Sequence, residues 1–458
     1  MKRAFLASVV TVAAISAAVL GYQHANGGGK ASESADSIAA MRAEGPPALA
    51  RLLAEREGLI RSSNASSVER EQQLNDLVAD IRAVSGQHYG EHSELYWYTD
   101  LDQAKQVSVE SGKPILSLRL LGDLREELTC ANSRFFRVLL YANPEIAAEM
   151  KSKFVLHWSS ERDVPIVTTD FGNGRQLKRT VTGNSLHYVL DSEGHPLDAL
   201  PGLQSPAAFL DWLKRIQPLA DEVRSHPAER GNLVRAFHQE QLKRLDATWE
   251  TKLGSAYSSL SRTGQVRMPS PYINTGAVEG VAVIPANRAM ALAIPKSVVE
   301  TPLMRAIRME KADDSEQKPE LWDFLARGYG EACQFHEDSR NIVAEEYRNV
   351  MPHASAEERE QFVAQVIQQL EANVNIDTLR NEQELHRQVH TWFVSDGFPQ
   401  DFEGVNEVVY AQLFFTPKSD PWLGLNDPYA YAALDNGGQT TPANTESSSG
   451  QALTSTRR

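Results

Sequence analysis

Cysteine is nearly absent from this chain: Cys130 and Cys333 are the only two among 458 residues. That excludes a disulfide-built scaffold and any cysteine-rich zinc motif, although two thiols can still pair with each other in an oxidising compartment. Positive charge is also short, with 46 Lys and Arg against 60 Asp and Glu and a formal net charge of −14. Phosphate backbones are held by clustered Lys and Arg, and no such patch occurs, so no nucleic acid is expected as a partner. Beyond Tyr22 no run is long and apolar enough to span a bilayer. No Ser-His-Asp set, carboxylate pair or nucleotide signature stands out. The glycine-rich stretch Gly172-Asn173-Gly174-Arg175 lacks the Lys and Ser/Thr of a phosphate loop and reads as a turn. Asp170 and Arg175 beside it read as a solvated pair.

What is present is ordinary for soluble globular protein, 41% apolar and 23% charged, in a chain long enough for more than one domain. Met1-Lys2-Arg3 is a short basic start, and the stretch from Ala4 to Tyr22 carries no charge. This is either a cleaved signal peptide or an uncleaved membrane anchor, followed by a Gly-rich tether to residue 29. The remainder is expected to be exported, periplasmic or held at the membrane facing outside the cytoplasm. Asn64-Ala65-Ser66 matches a glycosylation sequon and is read as chance.

Residues 30–93 read as a helical N-terminal region. Pro46-Pro47 opens one helix, and Leu74, Leu77, Val78 and Ile81 line a second over Val68 to Val84. Residues 94–217 have a different rhythm. Thr99 precedes an acidic helix start that Gly112 ends, and strands are expected over 115–121, 153–158 and 186–191. A hairpin is expected over 164–181, turning at Gly172-Asn173-Gly174. Ser205-Pro206 caps a helix carrying Phe209, Leu210, Leu213 and Ile216. Helices alternating with strands define an α/β domain. Residues 218–435 read as mainly α-helical, with a capping box at Ser355–Glu358, separate helices over 376–393 and 402–415, and a loop over 262–284. Phe414, Phe415 and Trp422 read as a strap packing on the helices. Residues 436–458 read as a disordered tail.

The order AKQVSVESGKPILSLRLL (104–121), Cys130 at a helix start, LYANPEI (140–146), KFVLHW (153–158) and LHYVLDSEG (186–194) resembles exported thioredoxin-like proteins, including the thioredoxin-like domain of membrane disulfide reductases. The resemblance covers about a quarter of the chain. It implies an α/β thioredoxin-like domain joined to a mainly α-helical C-terminal domain, with Cys130 at the position of the redox motif. The second cysteine of that motif is Ser133, giving Cys-x-x-Ser, and the family's cis-proline position is Ser185, next to Asn184 in the substrate groove. A hairpin also stands where the family is usually helical.

These departures set the chemistry. A cysteine at a helix N-terminus has its thiolate stabilised by the helix dipole and free N–H groups. Ser133 is placed to hydrogen-bond it, Arg134 adds positive charge, and Glu126 and Glu127 oppose it. Without a resolving cysteine, dithiol turnover is disfavoured, leaving monothiol exchange, isomerisation or redox sensing at Cys130. Two inert readings compete: a buried structural thiol, and a cross-link to Cys333. The functional counterpart of the inert readings is a non-catalytic envelope scaffold that binds a protein partner.

Glu382, His386 and His390 are spaced four apart on the helix expected over 376–393, and two histidines at that spacing can chelate a metal. Leu379, Val389 and Phe393 share the face, and no third or fourth ligand is evident. The histidines are therefore read as hydrogen-bonded packing residues, as are His88 and His92, and no metal or cofactor is expected.

Overall fold

The computed structural model describes residues 30–62, 67–180, 184–260, 333–347, 354–421 and 423. The basic leader and tether, the sequon, the 262–284 loop, Gly183, Trp422 and the tail lie outside the described residues. Among the described residues no helix is long and apolar enough to cross a membrane.

Three helices come first: α1 (Lys30–Glu44), α2 (Pro46–Arg61) and α3 (Ser67–Ser85). Pro46 and Pro47 open α2 because a first-turn residue has no intrahelical N–H partner to lose. Ala48, Leu49 and Leu52 of α2 pack with Leu77, Ile81 and Val84 of α3, the three-and-four spacing of one apolar face. A short helix α4 (Gly90–Ser93) leads to Trp97 and Tyr98. Arg42 ties this region down by donating to the carbonyls of Val84 and Trp97, both at 2.9 Å.

The mixed α/β region contains α5 (Leu101–Ser111), β1 (Ile115–Leu121), α6 (Ala131–Phe135) with a π-helical turn Phe136–Leu140, and α7 (Pro144–Lys153). It continues through β2 (Val155–Arg162), β3 (Ile166–Asp170), β4 (Gln176–Thr180), β5 (Leu186–Leu190), β6 (Pro196–Pro201) and α8 (Pro206–Ser225). Asp100 caps α5, accepting from the Gln103 N–H at 2.9 Å. Gly112 then takes the left-handed conformation that ends the helix. The main sheet has the order β2-β1-β5-β6, with β1 parallel to β2 and antiparallel to β5, and β5 antiparallel to β6. Tyr98 adds a parallel bridge to His157 at the β2 edge. The hairpin β3–β4 forms a separate two-stranded sheet turning through Gly172 and Gly174, both at positive φ. Asp170 and Arg175 do not pair there. Asp170 accepts from the Gly172 N–H and the Gln176 side chain, while Arg175 bonds Asn173. The fourth strand, β6, was not expected from the sequence; Pro196 and Pro201 at its ends obscure it.

β1 is buried along its whole length, polar positions included. Leu116 and Leu118 share a face with His187, whose ring meets Phe136 and Phe209. On the opposite face Ser117 bonds His157 at 2.8 Å, and Arg119 pairs with Glu161 and Glu403 over the Phe402 ring. Glu403 and Phe402 belong to a late helix, so the polar face of the sheet is covered by the end of the chain.

The helices after the sheet are α9 (Arg230–Leu260), α10 (Glu337–Glu346), α11 (Ala356–Arg380), α12 (Arg387–Val394) and α13 (Phe402–Val408). The Ser355–Glu358 capping box is present. The break expected before residue 376 is absent: α11 runs through a π-helical turn, Asn381–His386, directly into α12. Another π-helical turn, Val409–Leu413, extends α13. One continuous hydrophobic cluster reaches from Ala48 to Leu423 and joins these helices to the sheet. The junction is tight at Gly202, whose φ is +74° and where an added Cβ would lie 2.5 Å from the Asn381 side chain. Asn381 donates to the Leu203 carbonyl, and the Ser205 N–H donates to Thr378 Oγ1.

Candidate functional site

Cys130 lies where the sequence places it, after β1 and at the N-cap of α6. It is fully buried, as are Ser133 and Ser185. The thiol stands 3.2 Å from Ser133 Oγ and 2.6 Å from Ser185 Oγ. The Ser133 hydroxyl has two acceptors of its own, Thr129 Oγ1 at 2.6 Å and the Cys130 carbonyl at 2.9 Å. Its proton is thus directed away from sulfur, an arrangement suited to a neutral thiol that donates.

Positive charge near the thiol comes from Arg134, as the sequence expects, and from Arg137 as well. Arg134 donates to Thr180 Oγ1 on the hairpin. The cation that braces the preceding loop is Arg137, one turn after Ser133, donating to the carbonyls of Leu124, Glu126 and Glu127. It is buried, and that burial lowers its pKa to about 10. The i, i+4 spacing from Ser133 was the available signal for it. Glu127 is raised from the usual carboxylate range by burial, with Glu346 adding to the effect.

The predicted groove residues are covered. Asn184 donates to Thr416 Oγ1 at 3.2 Å, and its carbonyl accepts from the Tyr410 hydroxyl at 3.2 Å. Tyr410, in the π-helical turn after α13, and Thr416, just beyond it, are themselves buried. The C-terminal segment thus packs over Asn184. An open cleft of about 410 Å³, lined by Thr99, Asp100, Asp102, Arg119, His157 and Glu403, lies on the other face of β1 and does not include Cys130.

Cys130 and Cys333 are both free, buried thiols. Cys333 neighbours Ser205, and burial pushes its pKa up to about 11. The cross-link is not formed.

A second polar cluster is assembled from segments far apart in the chain. His386 and His390 do share a face, but their carboxylate is Asp198 of β6, not Glu382. Glu382 sits in the π-helical turn, where hydrogen bonds close over five residues and a four-residue spacing no longer stacks. The Asp198 carboxylate faces His386 Nε2 at 3.1 Å from both oxygens, and accepts from Trp212 Nε1 at 2.8 Å. His390 Nδ1 lies 3.9 Å from Asp198 Oδ1 and 2.7 Å from His238 Nδ1. His238 also meets the Leu197 carbonyl through Nε2 at 2.9 Å and stacks on Phe393. All four residues are buried. Asp198 and His238 escaped the sequence reading. An aspartate inside the apolar run Leu197–Leu200 was the one available signal for the first.

Comparison of the chain with protein-family models, with curated proteins and with solved structures finds no match.

Proposed function

We propose that residues 94–217 form a thioredoxin-like unit retained as a scaffold, and that the protein is a non-catalytic, exported interaction protein. The sheet order, the placement of Cys130 after β1 and the antiparallel β5–β6 pair support the thioredoxin-like reading. The observation that carries the scaffold reading is the covered groove: a fully buried Cys130 with Tyr410 and Thr416 over Asn184. A thiolate nucleophile must reach its target sulfur, and Cys130 is fully buried. Export and an envelope partner rest on the charge-free N-terminal run. For the partner, the hairpin β3–β4 is the favoured surface. It carries Ile166, Val167 and Phe171 in the open, half of the large apolar side chains exposed among the described residues.

The test is alkylation of the native full-length chain at several pH values, read by mass at each cysteine. Cys130 is expected to stay unmodified until the protein is denatured. A Cys130 that reacts as fast as a free thiol near pH 7, or that traps a mixed disulfide with an envelope protein, would replace the scaffold with a monothiol site behind a movable cover.

A further inference from the structure

The second cluster has the composition of a metal site. Asp198, His386 and His390 each place one ligand atom within 4.8 Å of the others. In a tetrahedral zinc site with bonds of about 2.0–2.1 Å, neighbouring ligand atoms stand roughly 3.3 Å apart. The 3.1 Å between His386 Nε2 and Asp198 lies close to that spacing.

The hydrogen bonds decide which atoms are left over. The Leu197 carbonyl can only accept, so His238 Nε2 carries its proton. With the single proton of a neutral imidazole on Nε2, His238 Nδ1 is bare and accepts. His390 Nδ1 must then donate to it across 2.7 Å. The remaining nitrogen of His390, Nε2, is buried with no hydrogen-bond partner. A buried lone pair left unmatched is costly, and here a cation explains it. A ring N–H donated to a neighbour while the other nitrogen stays free is also the habit of metal-binding histidine.

Charge points the same way. The Asp198 carboxylate is fully buried. A buried anion needs a counter-charge. A divalent ion would supply that charge at the centre.

We infer that Asp198, His386 and His390 bind a first-row divalent cation of the zinc class, with His238 as the positioning residue that fixes the His390 ring. Nitrogen and carboxylate ligands suit that class. Three protein ligands leave the fourth tetrahedral position for a water. The ion ties β6 to the helical run through α12. This site is independent of Cys130 and of the scaffold reading.

The experiment loads the full-length chain with zinc(II), removes free ion by gel filtration, and measures bound zinc and its X-ray absorption. One equivalent per chain is expected, with at least two imidazoles and no sulfur in the shell. His386→Gln and His390→Gln should each abolish retention. His238→Gln should keep the same shell with affinity lowered about 10- to 100-fold. No retained zinc, retention that survives both ligand substitutions, or a sulfur ligand from Cys130 or Cys333 would overturn the assignment. Should the ligand variants fail to fold, the absorption spectrum of the wild-type chain still decides it.

Discussion

The molecule buries two polar clusters, and they are built on opposite principles. Around Cys130 the groups are a thiol and three hydroxyls, from Thr129, Ser133 and Ser185, mostly from one turn of chain. Around Asp198 the groups are an ionised carboxylate and three imidazoles, from one strand and two helical runs. Neutral hydroxyls can be satisfied locally and cost little to rearrange. A buried carboxylate cannot be left alone, so every element that supplies a partner is committed to its place. The thiol cluster occupies the position where related chemistry would be sought, whereas the Asp198 cluster holds more of the fold together.

The largest expected difference follows from that contrast. Asp198→Ala leaves the His386 and Trp212 donors buried without their acceptor and should cost about 3–5 kcal/mol. Cys130→Ala removes one sulfur beside hydroxyls that keep other partners and should cost only about 1–2 kcal/mol. Urea denaturation at pH 7 in the presence of a chelator compares the two without any contribution from bound metal. Equal costs would break the comparison.

Acid sharpens it from the thiol side of the sheet. Burial lowers His187 to about 3, with its Nε2 2.6 Å from the Tyr141 hydroxyl. His157, on the opposite face, is also lowered to about 3. Each folded value lies below the unfolded value of 6.5, so between them the unfolded chain takes up a proton that the folded chain refuses. Their stabilising contribution is complete above pH 6.5 and is lost as pH falls toward 3. The loss approaches about 1.4 kcal/mol per pH unit for each histidine. His187→Gln should make the fall in urea midpoint between pH 6.5 and 5 shallower by one proton's worth. An unchanged slope would show that His187 titrates normally.

The same contrast explains what was legible. β1, β2, β5, the hairpin and the Cys130 turn are local patterns, and a strand followed by a helix start can be read from a few residues. The His386–His390 pair was visible for the same reason. Its carboxylate was not, because Asp198 is brought to it by β6 pairing with β5, and neither a π-helical turn nor a proline-ended strand has a local signature. Nor was the covering of Asn184 legible. It depends on packing between residues more than two hundred positions apart, which no periodicity records.

The smallest effect tests whether the thiol cluster is poised for chemistry. Ser185→Ala removes a hydroxyl 2.6 Å from the sulfur while leaving Ser133 as its partner. The loss of one such bond to a weak donor should cost about 0.5–1.5 kcal/mol. If access through the C-terminal cover limits reaction, native alkylation of Cys130 should remain as slow as in wild type, because Tyr410 and Thr416 are untouched. If Ser185 instead holds an accessible sulfur in its protonated state, the rate should rise without any loosening of the cover. Rate and stability therefore separate the two cases in one variant, and a fast reaction in a chain of nearly unchanged stability would show that the thiol is held back by hydrogen bonding and not by burial.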